Sequence, residues 1–228
     1  MEYIISGKQM DDFIMAAHGV ARHGLVLCAS GNLSMRADED YMLVTESGAW
    51  MADMTKDQVA VCRIVDGVSV NQKTPSIEIG FHKAVLKKRL DINFVLHFQA
   101  PFATALACRK MDWNHNLFLI PEVPYYIGPI AVIPFMPPGS EGLAEAVATA
   151  MENHDMVVLE NHGQVTVGKD HKEILERAVF FELASAIYYR AGKDVRFLKK
   201  NEVDSLLQAR QKHMDSKNRK EDSGTTSI

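Results

Sequence analysis

The sequence has few cysteines, and none of them stands in a recognisable motif. Cys28, Cys62 and Cys108 are widely separated along the 228 residues, and no two of them form a C-x-x-C pair. An odd number of scattered cysteines gives no sign of a disulfide framework, which is typical of small secreted domains. The sequence therefore predicts reduced thiols in a cytoplasmic protein.

The chain also lacks long apolar runs and an excess of basic residues. No stretch approaches the ~18 consecutive apolar residues that a membrane-spanning helix needs. Residues 1–6 do not show the basic and then apolar pattern of a secretory signal. Lysine and arginine number 25 against 29 aspartates and glutamates, which gives a formal net charge of −4. We therefore expect neither nucleic acid nor a membrane as a partner.

Length and composition are those of an ordinary globular chain. Apolar residues make up 47% and charged residues 24%, so a chain of this length can bury a sizeable core. Residues 59–65 and 68–70 predict a β-hairpin with a two-residue turn. Since hairpins outnumber βαβ units, we predict one α/β domain over residues 1–215 with a mainly antiparallel or mixed sheet. Residues 216–228 are polar and predict a disordered tail.

Two short apolar runs each end in polar residues. Residues 94–99 (FVLHFQ) are typical of a strand, and His97 and Gln99 would emerge on one side of it because successive side chains alternate faces. A second run, residues 156–159 (MVVL), is followed shortly by His162. Two buried strands that lead into histidines predict one polar pocket where the strands end.

The polar residues of this pocket are of the kinds that bind metals. Imidazole nitrogen, carboxylate oxygen and sometimes amide oxygen suit zinc or a related transition metal. His97 and His162 could supply two nitrogens, and Glu78 could bind the metal or act as a base beside it. A helix predicted to begin at Pro75 places Glu78 and His82 as neighbours, four residues apart. The alternatives are structural histidines, a packed His82 and an exposed helix glutamate.

Two loops of small residues precede this helix. Gly31-Asn32 is a strong turn pair, because both residue types tolerate positive φ. The turn either joins two strands or directs backbone N–H groups toward an anion. Residues 46–48 (ESG) form a second loop of this kind.

Five short motifs follow one another along the chain. They are Gly31-Asn32-Leu33-Ser34-x-Arg36, Thr45-x-Ser47-Gly48, Pro75-Ser76-x-Glu78-x-x-x-His82, Val95-Leu96-His97-x-Gln99 and Asn161-His162-Gly163. In their order and separation, over residues 8–192, they resemble the class II aldolase/adducin family, and within it the L-fuculose-phosphate aldolase-like enzymes. The resemblance implies a single three-layer α/β/α domain and a homo-oligomer. A cyclic tetramer with active sites between subunits is favoured.

The resemblance also implies a metal centre and a catalytic acid/base. His97 and His162 match two metal-binding histidines of the family, and Gln99 stands where a further histidine is expected. The ion would be divalent, with zinc expected and manganese, cobalt or nickel as alternatives. Glu78 matches the acid/base carboxylate. Tyr125 lies near the place where some aldolases contribute a tyrosine acid across the subunit interface; an adjacent tyrosine leaves the register open, and a packed aromatic is the alternative.

The implied substrate is a small sugar phosphate or a related hydroxy compound. The positions that match the family's phosphate site are Gly31, Asn32, Ser47, Gly48 and Ser76. Ile77 stands where a second hydroxyl is expected. The implied function is a metal-dependent aldolase-type lyase that cleaves a carbon–carbon bond through an enediolate. The alternatives are a decarboxylase or dehydratase on the same scaffold, and a non-catalytic adducin-like oligomerising module with a degenerate metal site.

Overall fold

A computed structural model describes residues 5–224, in which seven strands are flanked by helices. The strands are β1 (Asn32–Arg36), β2 (Tyr41–Thr45), β3 (Val59–Arg63), β4 (Phe94–Phe98), β5 (Ile130–Ile133), β6 (Met156–Leu159) and β7 (Gly163–Gly168). The α-helices are α1 (Gly7–Arg22), α2 (Ile79–Lys88), α3 (Pro101–Ala107), α4 (Glu141–Ala150), α5 (His171–Ala191) and α6 (Lys200–Gly224). A short π-helix, Val123–Ile127, precedes β5.

The strands form one mixed sheet in the order β3-β2-β1-β4-β7-β6-β5. Neighbouring strands run antiparallel, except that β5 and β6 are parallel. The predicted mainly antiparallel or mixed sheet is therefore confirmed. Asn32 of β1 lies directly opposite His97 of β4 in the register of the sheet, so these two polar residues meet at one end of the central strands.

Alternation of side chains along the strands feeds two separate apolar cores. On one face, Leu33 and Leu96 pack with apolar residues of α1, α3 and α5. On the other face, Val95 and Val165 pack with α2 and α4. Because residues one position apart point to opposite faces, the sheet lies between two helical layers. The expected three-layer α/β/α arrangement is confirmed.

Three buried polar residues interrupt the apolar pattern on the face that α2 covers. Asn32 and Ser34 alternate on β1 with residues of the other core, and His97 holds the equivalent place on β4. Side chains two residues apart in a strand share a face. All three therefore point toward α2. The sheet pairs their backbone groups, so their buried side chains need hydrogen-bond partners from other side chains.

Three of the helices begin at side-chain caps that the sequence provides. Ser6 accepts a hydrogen bond from the N–H of Gln9, Ser140 from that of Leu143 and Asp170 from that of Glu173. Each cap satisfies one of the N–H groups that a helix leaves without a partner in its first turn. These caps fix where α1, α4 and α5 start.

Two segments differ from the prediction. Helix α2 begins at Ile79 and not at Pro75, with Glu78 at its N-cap. Helix α6 continues to Gly224, so residues 216–224, which were expected to be disordered, are helical; residues 225–228 lie outside the described residues. Lys217 pairs with Glu173 of α5 at 3.0 Å, which fastens this part of α6 to the domain and favours the helix over a loose tail.

The described residues also bear on the predictions about membrane spans and cysteines. None of the helices within residues 5–224 combines the length and apolar character that crossing a bilayer requires. All three cysteines are free, with Cys28 and Cys108 exposed and Cys62 buried. Burial raises the pKa of the Cys62 thiol to about 12, so this thiol stays protonated near neutral pH.

Candidate metal centre and active-site cavity

The side chains of Glu78, His97 and His162 converge in one buried cluster. His97 Nε2 lies 3.4 Å from one Glu78 carboxylate oxygen, and His162 Nε2 lies 3.5 Å from the other. One donor atom from each residue lies within 4.8 Å of the other two. The predicted pocket where the two strand runs end is thus confirmed for both histidines, and Glu78 joins them from the opposing helix layer.

Glu78 reaches this cluster because the chain turns just before α2. The Ser76 N–H donates to the carbonyl of Thr45 at 3.0 Å, which pins residues 75–76 to the end of β2. The Ser76 hydroxyl accepts a hydrogen bond from the Glu78 N–H. Glu78 therefore sits at the N-cap of α2, with only 4% of the residue exposed, and not on the solvent side of a helix.

The hydrogen bonding of His97 leaves a lone pair aimed at Glu78. His97 Nδ1 lies 2.9 Å from the carbonyl oxygen of Gln164, and a carbonyl only accepts, so Nδ1 carries the hydrogen. In the neutral ring, Nε2 then presents a lone pair to a carboxylate oxygen. Two acceptors facing each other in a buried site repel unless a proton or a metal ion lies between them.

His162 and Glu78 add further buried atoms without partners. Among the described residues, neither Glu78 Oε1 nor His162 Nδ1 has a hydrogen-bond partner. Burial, and then the neighbouring His97, lower the pKa of His162 below its ordinary value, so its ring tends to stay neutral and able to bind a cation. Buried polar atoms are normally satisfied. Two imidazole nitrogens and a carboxylate in this state fit a divalent metal ion.

A cavity of about 290 Å³ opens beside this cluster. Its lining includes all the predicted site residues except Tyr125, namely Gly31, Asn32, Ser47, Gly48, Ser76, Glu78, His97, Gln99 and His162. Ile77, which is 70% exposed, and Glu46 also line it. No lysine or arginine of the described residues does. The sequence analysis did not predict Glu46 as a site residue. Its carboxylate is the second one in a cavity that is expected to bind an anion.

Glycine is required where the first loop meets β4. Gly31 has φ +76°, and a Cβ atom there would come within 2.6 Å of the His97 carbonyl oxygen. A side chain at this position would therefore push the loop away from the strand that carries His97. The turn leads from residues 25–30, which form no strand, into β1, so it does not join two strands. Its residues line the cavity, and their role in binding an anion stays a prediction.

The Asn32 side chain is engaged inside the protein. Its Nδ2 donates to Glu78 Oε2 at 2.8 Å, and its Oδ1 lies 2.5 Å from His82 Nε2. His82 is fully buried, and its Nδ1 lies 2.7 Å from the Ser34 hydroxyl. The prediction that His82 is a packed, satisfied histidine is confirmed. Ser34 was missed, although its alternation with apolar residues on β1 was a signal for a buried polar contact.

Tyr125 does not join the cluster within a single chain. It lies in the π-helix and lines a different cavity, which includes Tyr126, Arg177 and Arg210. Its ring packs edge-on against Tyr126, with ring centroids 4.8 Å apart. In one copy of the chain, Tyr125 is a packed aromatic beside α5 and α6.

The fold and the cluster together define an α/β protein with a candidate metal centre of two histidines and one carboxylate. A sequence model of the class II aldolase and adducin N-terminal domain matches residues 11–189. This match covers most of the chain, and the chain belongs to that family.

Proteins that are similar to this chain over most of its length include both aldolases and decarboxylases. A 3-oxo-tetronate 4-phosphate decarboxylase of Haemophilus influenzae is 27% identical over 202 residues, covering 87% of this chain and 95% of that protein. An L-fuculose phosphate aldolase of Methanococcus maripaludis is 27% identical over 180 residues, covering 79% and 95%. The crystal structure of a putative aldolase/epimerase/decarboxylase from Klebsiella pneumoniae superposes with a TM-score of 0.82 at 23% identity, covering 90% of this chain and 100% of the other.

Proposed function

We propose that this chain is a metal-dependent, aldolase-type lyase that cleaves a carbon–carbon bond in a small sugar phosphate or related hydroxy compound. The observation that carries this proposal is the convergence of Glu78, His97 and His162, with unpartnered buried atoms, on a single cavity. A purely structural domain has no evident use for such a cluster, because each unsatisfied buried polar atom lowers the stability of the fold.

His97 and His162 would hold the divalent ion, with the Glu78 carboxylate beside it and zinc expected. Bound there, a divalent ion would supply Lewis-acid polarisation of a substrate carbonyl. Gln99 lines the same cavity and offers a neutral amide oxygen where a further imidazole was expected. Since amide oxygen suits harder ions better than imidazole does, it favours manganese among the alternatives to zinc, which also include cobalt and nickel.

Glu78 would carry the proton of the reaction. Asn32 fixes its Oε2, while its Oε1 accepts no hydrogen bond from the described residues, so one oxygen is available to take up and return a proton. In cleavage, a base takes the proton of the departing hydroxyl, which becomes a carbonyl as the carbon–carbon bond breaks. The electron pair of that bond passes into an enediolate of the substrate, and protonated Glu78 gives a proton to the carbon next to the carbonyl. In the reverse direction, the same oxygen removes that proton.

The second loop and the turn before α2 would bind the polar end of the substrate. The hydroxyl of Ser47 and the backbone N–H of Gly48 have no partner among the described residues, and both groups lie in the lining of the cavity. Such donors can bind a phosphate or several hydroxyls. Ser76 lines the same cavity, and its N–H donates to the carbonyl of Thr45, just before this loop.

Decarboxylation is the second candidate, and the place of Tyr125 favours it. Aldol cleavage needs a group that takes the proton of the departing hydroxyl, and Tyr125 lies outside the cavity of its own chain. Loss of carbon dioxide forms the same type of carbanion without that proton transfer. A decarboxylase is also among the relatives at 27% identity.

The proposal is tested with purified protein, metal analysis and two sets of substrates. We expect bound divalent metal, and turnover of a ketose phosphate or of 3-oxo-tetronate 4-phosphate that is lost on chelation and restored by one of zinc, manganese, cobalt or nickel. Glu78→Gln should lower kcat by about 10²- to 10⁴-fold, the usual worth of a general acid/base. Glu160→Gln, a glutamate close in sequence to His162 but outside the cavity lining, is the matched control. Absence of both metal and turnover would move the assignment to a non-catalytic module.

An aldolase role for Tyr125 requires a second copy of the chain. We propose a cytoplasmic homo-oligomer, with a tetramer favoured, in which Tyr125 of one subunit reaches the cavity of another. Mixing Glu78→Gln with Tyr125→Phe protein and allowing the subunits to exchange should then restore activity that neither variant has alone. A mixture that stays inactive, with exchange verified by a mass-labelled subunit, would leave Tyr125 as a packed aromatic only.

A further inference from the structure

We propose that Asn32 and His82 are positioning residues that hold the Glu78 carboxylate in place, with Ser34 fixing the orientation of His82 from behind. Three hydrogen bonds connect the four side chains in a row. They join Ser34 to His82 at 2.7 Å, His82 to Asn32 at 2.5 Å and Asn32 to Glu78 at 2.8 Å. This role rests on the proposed function, in which Glu78 is the proton carrier.

The direction of all three hydrogen bonds follows from the carboxylate. An ionised carboxylate only accepts, so the Asn32 group that faces it is the amide nitrogen, and the Asn32 oxygen faces His82. His82 must then donate from Nε2, which leaves Nδ1 as an acceptor for the Ser34 hydroxyl. Burial, and then His97, lower the pKa of His82 to about 3, so the ring is neutral near pH 7 and one tautomer satisfies every bond.

Among the described residues, Glu78 has no other side-chain hydrogen bond to orient it. It sits at the N-cap of α2, where its carboxylate makes no capping bond to the helix. Oε1 has no hydrogen-bond partner among the described residues. Within residues 5–224, Asn32 is therefore the one neutral donor that keeps Oε2 toward His97 and leaves Oε1 beside His162.

This engagement changes the role expected for Asn32. Its oxygen and one of its two amide hydrogens are already used inside the protein. The resemblance placed Asn32 among the phosphate-binding residues. We instead assign its main effect to Glu78, and leave the polar end of the substrate to the second loop and Ser76.

The first test measures Co²⁺ affinity and the visible spectrum of the bound ion, which require no turnover. Glu78 supplies the negative charge beside the two histidines, so a displaced carboxylate weakens ion binding. Asn32→Ala and His82→Leu should each raise the Co²⁺ Kd by ~10- to 100-fold, the range found when partners of metal-site residues are removed. His82→Gln, which keeps a donor toward Asn32, should restore most of the affinity.

A double-mutant cycle separates positioning from general damage. If Asn32 acts through Glu78, Asn32→Ala should weaken Co²⁺ binding in the wild-type background and have little further effect in the Glu78→Gln background. Equal losses in both backgrounds would overturn the assignment. Ser34→Ala should weaken binding less than Asn32→Ala. Ser185→Ala is the matched control, because Ser185 is also fully buried but its hydroxyl has no partner in the described chain.

Inorganic phosphate and histidine NMR complete the test. Asn32→Ala should leave the affinity for inorganic phosphate unchanged; a variant that loses phosphate but keeps Co²⁺ would make Asn32 an anion ligand and overturn the positioning role. If wild type binds no Co²⁺, the proposed function fails. The ¹⁵N shifts of His82 then test the row of hydrogen bonds from Ser34 to Glu78 independently. A ring protonated at Nε2 that becomes a tautomer mixture in Ser34→Ala supports the chain of bonds, and a mixture already in wild type overturns it.

Discussion

The protein buries two clusters of charged and polar side chains at opposite ends of the β6–β7 hairpin. Every charge of one cluster is paired, and the other cluster includes atoms without partners among the described residues. Asp155 directly precedes β6, while His162 lies in the turn between β6 and β7. Asp155 has three guanidinium partners: Arg89 at 3.0 Å, Arg177 at 3.1 Å and Arg210 at 2.5 Å. In the part of the chain that the structure describes, the cluster around His162 has no arginine or lysine counter-ions.

The difference separates a structural cluster from a functional one. Burial pushes the pKa of Asp155 up, but the three guanidinium groups outweigh it and hold that pKa below its ordinary value. Asp155 is thus ionised and paired, and it fastens α5 and α6 to the sheet through Arg177 and Arg210. At the other end, Glu78 and two histidines face one another with unpartnered atoms. The Asp155 cluster, in which every charge is paired without a ligand, stabilises the fold. The cluster of Glu78, His97 and His162, which lacks a cation, is suited to bind one.

The largest effect we expect is on the complete cluster. Asp155→Ala leaves three arginines without their shared counter-ion, and breaking a buried pair in this way costs about 3–5 kcal/mol. Urea unfolding of the metal-free protein should show this loss, while the Co²⁺ Kd stays at the wild-type value.

Asp91 provides the control for Asp155. It also pairs with Arg89, at 2.7 Å, but its side chain is 53% exposed. Asp91→Ala should therefore cost no more than about 1 kcal/mol, as exposed pairs do. Equal costs for the two variants would mean that the arginine cluster is not the fastening inferred above.

The next largest effect is the stabilisation by metal of the cluster of Glu78, His97 and His162. The His162 side chain makes no hydrogen bond to the described residues, so His162→Ala should change the stability of the metal-free protein by no more than about 1 kcal/mol, the middle of the range for point substitutions. Wild type should gain about 2.7 kcal/mol when metal is present at a hundred times its Kd. The variant should lose that gain in a thermal melt, and His154→Ala, a histidine outside the cavity lining, should keep it.

The histidine pair of this site was predictable from strand alternation and the order of the motifs. Alternation along residues 94–99 put His97 on a definite face, and the run 156–159 led into His162, which lies just before β7, the strand that pairs with β4. The mixed α/β fold class followed in the same way from apolar periodicity, although the hairpin predicted over residues 59–65 and 68–70 forms only an isolated bridge between Cys62 and Ser69. These features depend on local pattern, which the sequence carries directly.

The surroundings of Glu78 were not predictable, because they depend on long-range contacts. Pro75 favours a helix start, but the bridge between Glu46 and Pro75 holds the chain extended there and delays α2 to Ile79. The bond from Asn32 to Glu78 joins residues 46 positions apart. Similarly, α6 extends past residue 215 because Lys217 finds Glu173 on another helix. No local pattern encodes such pairings.

The smallest effect is a difference in how the two clusters respond to acid. Burial lowers the pKa of His82 to about 3, against about 6.5 in an unfolded chain. Between these values the unfolded state binds a proton that the folded state does not, so stability falls as pH falls from 6.5, by up to about 1.4 kcal/mol per pH unit. The lowered pKa of His162 acts in the same direction.

Asp155 responds in a different window. Its folded pKa lies below the unfolded value, so its contribution is complete above about pH 4 and is lost only as pH falls further. Urea unfolding of metal-free wild type at pH 7, 6 and 5 should therefore show a decline that is shallower in His82→Gln, and unaltered in Asp91→Ala. Parallel curves for wild type and His82→Gln would mean that His82 takes up a proton in the folded protein. In that case the neutral ring on which the bond to Asn32 depends would exist only at higher pH.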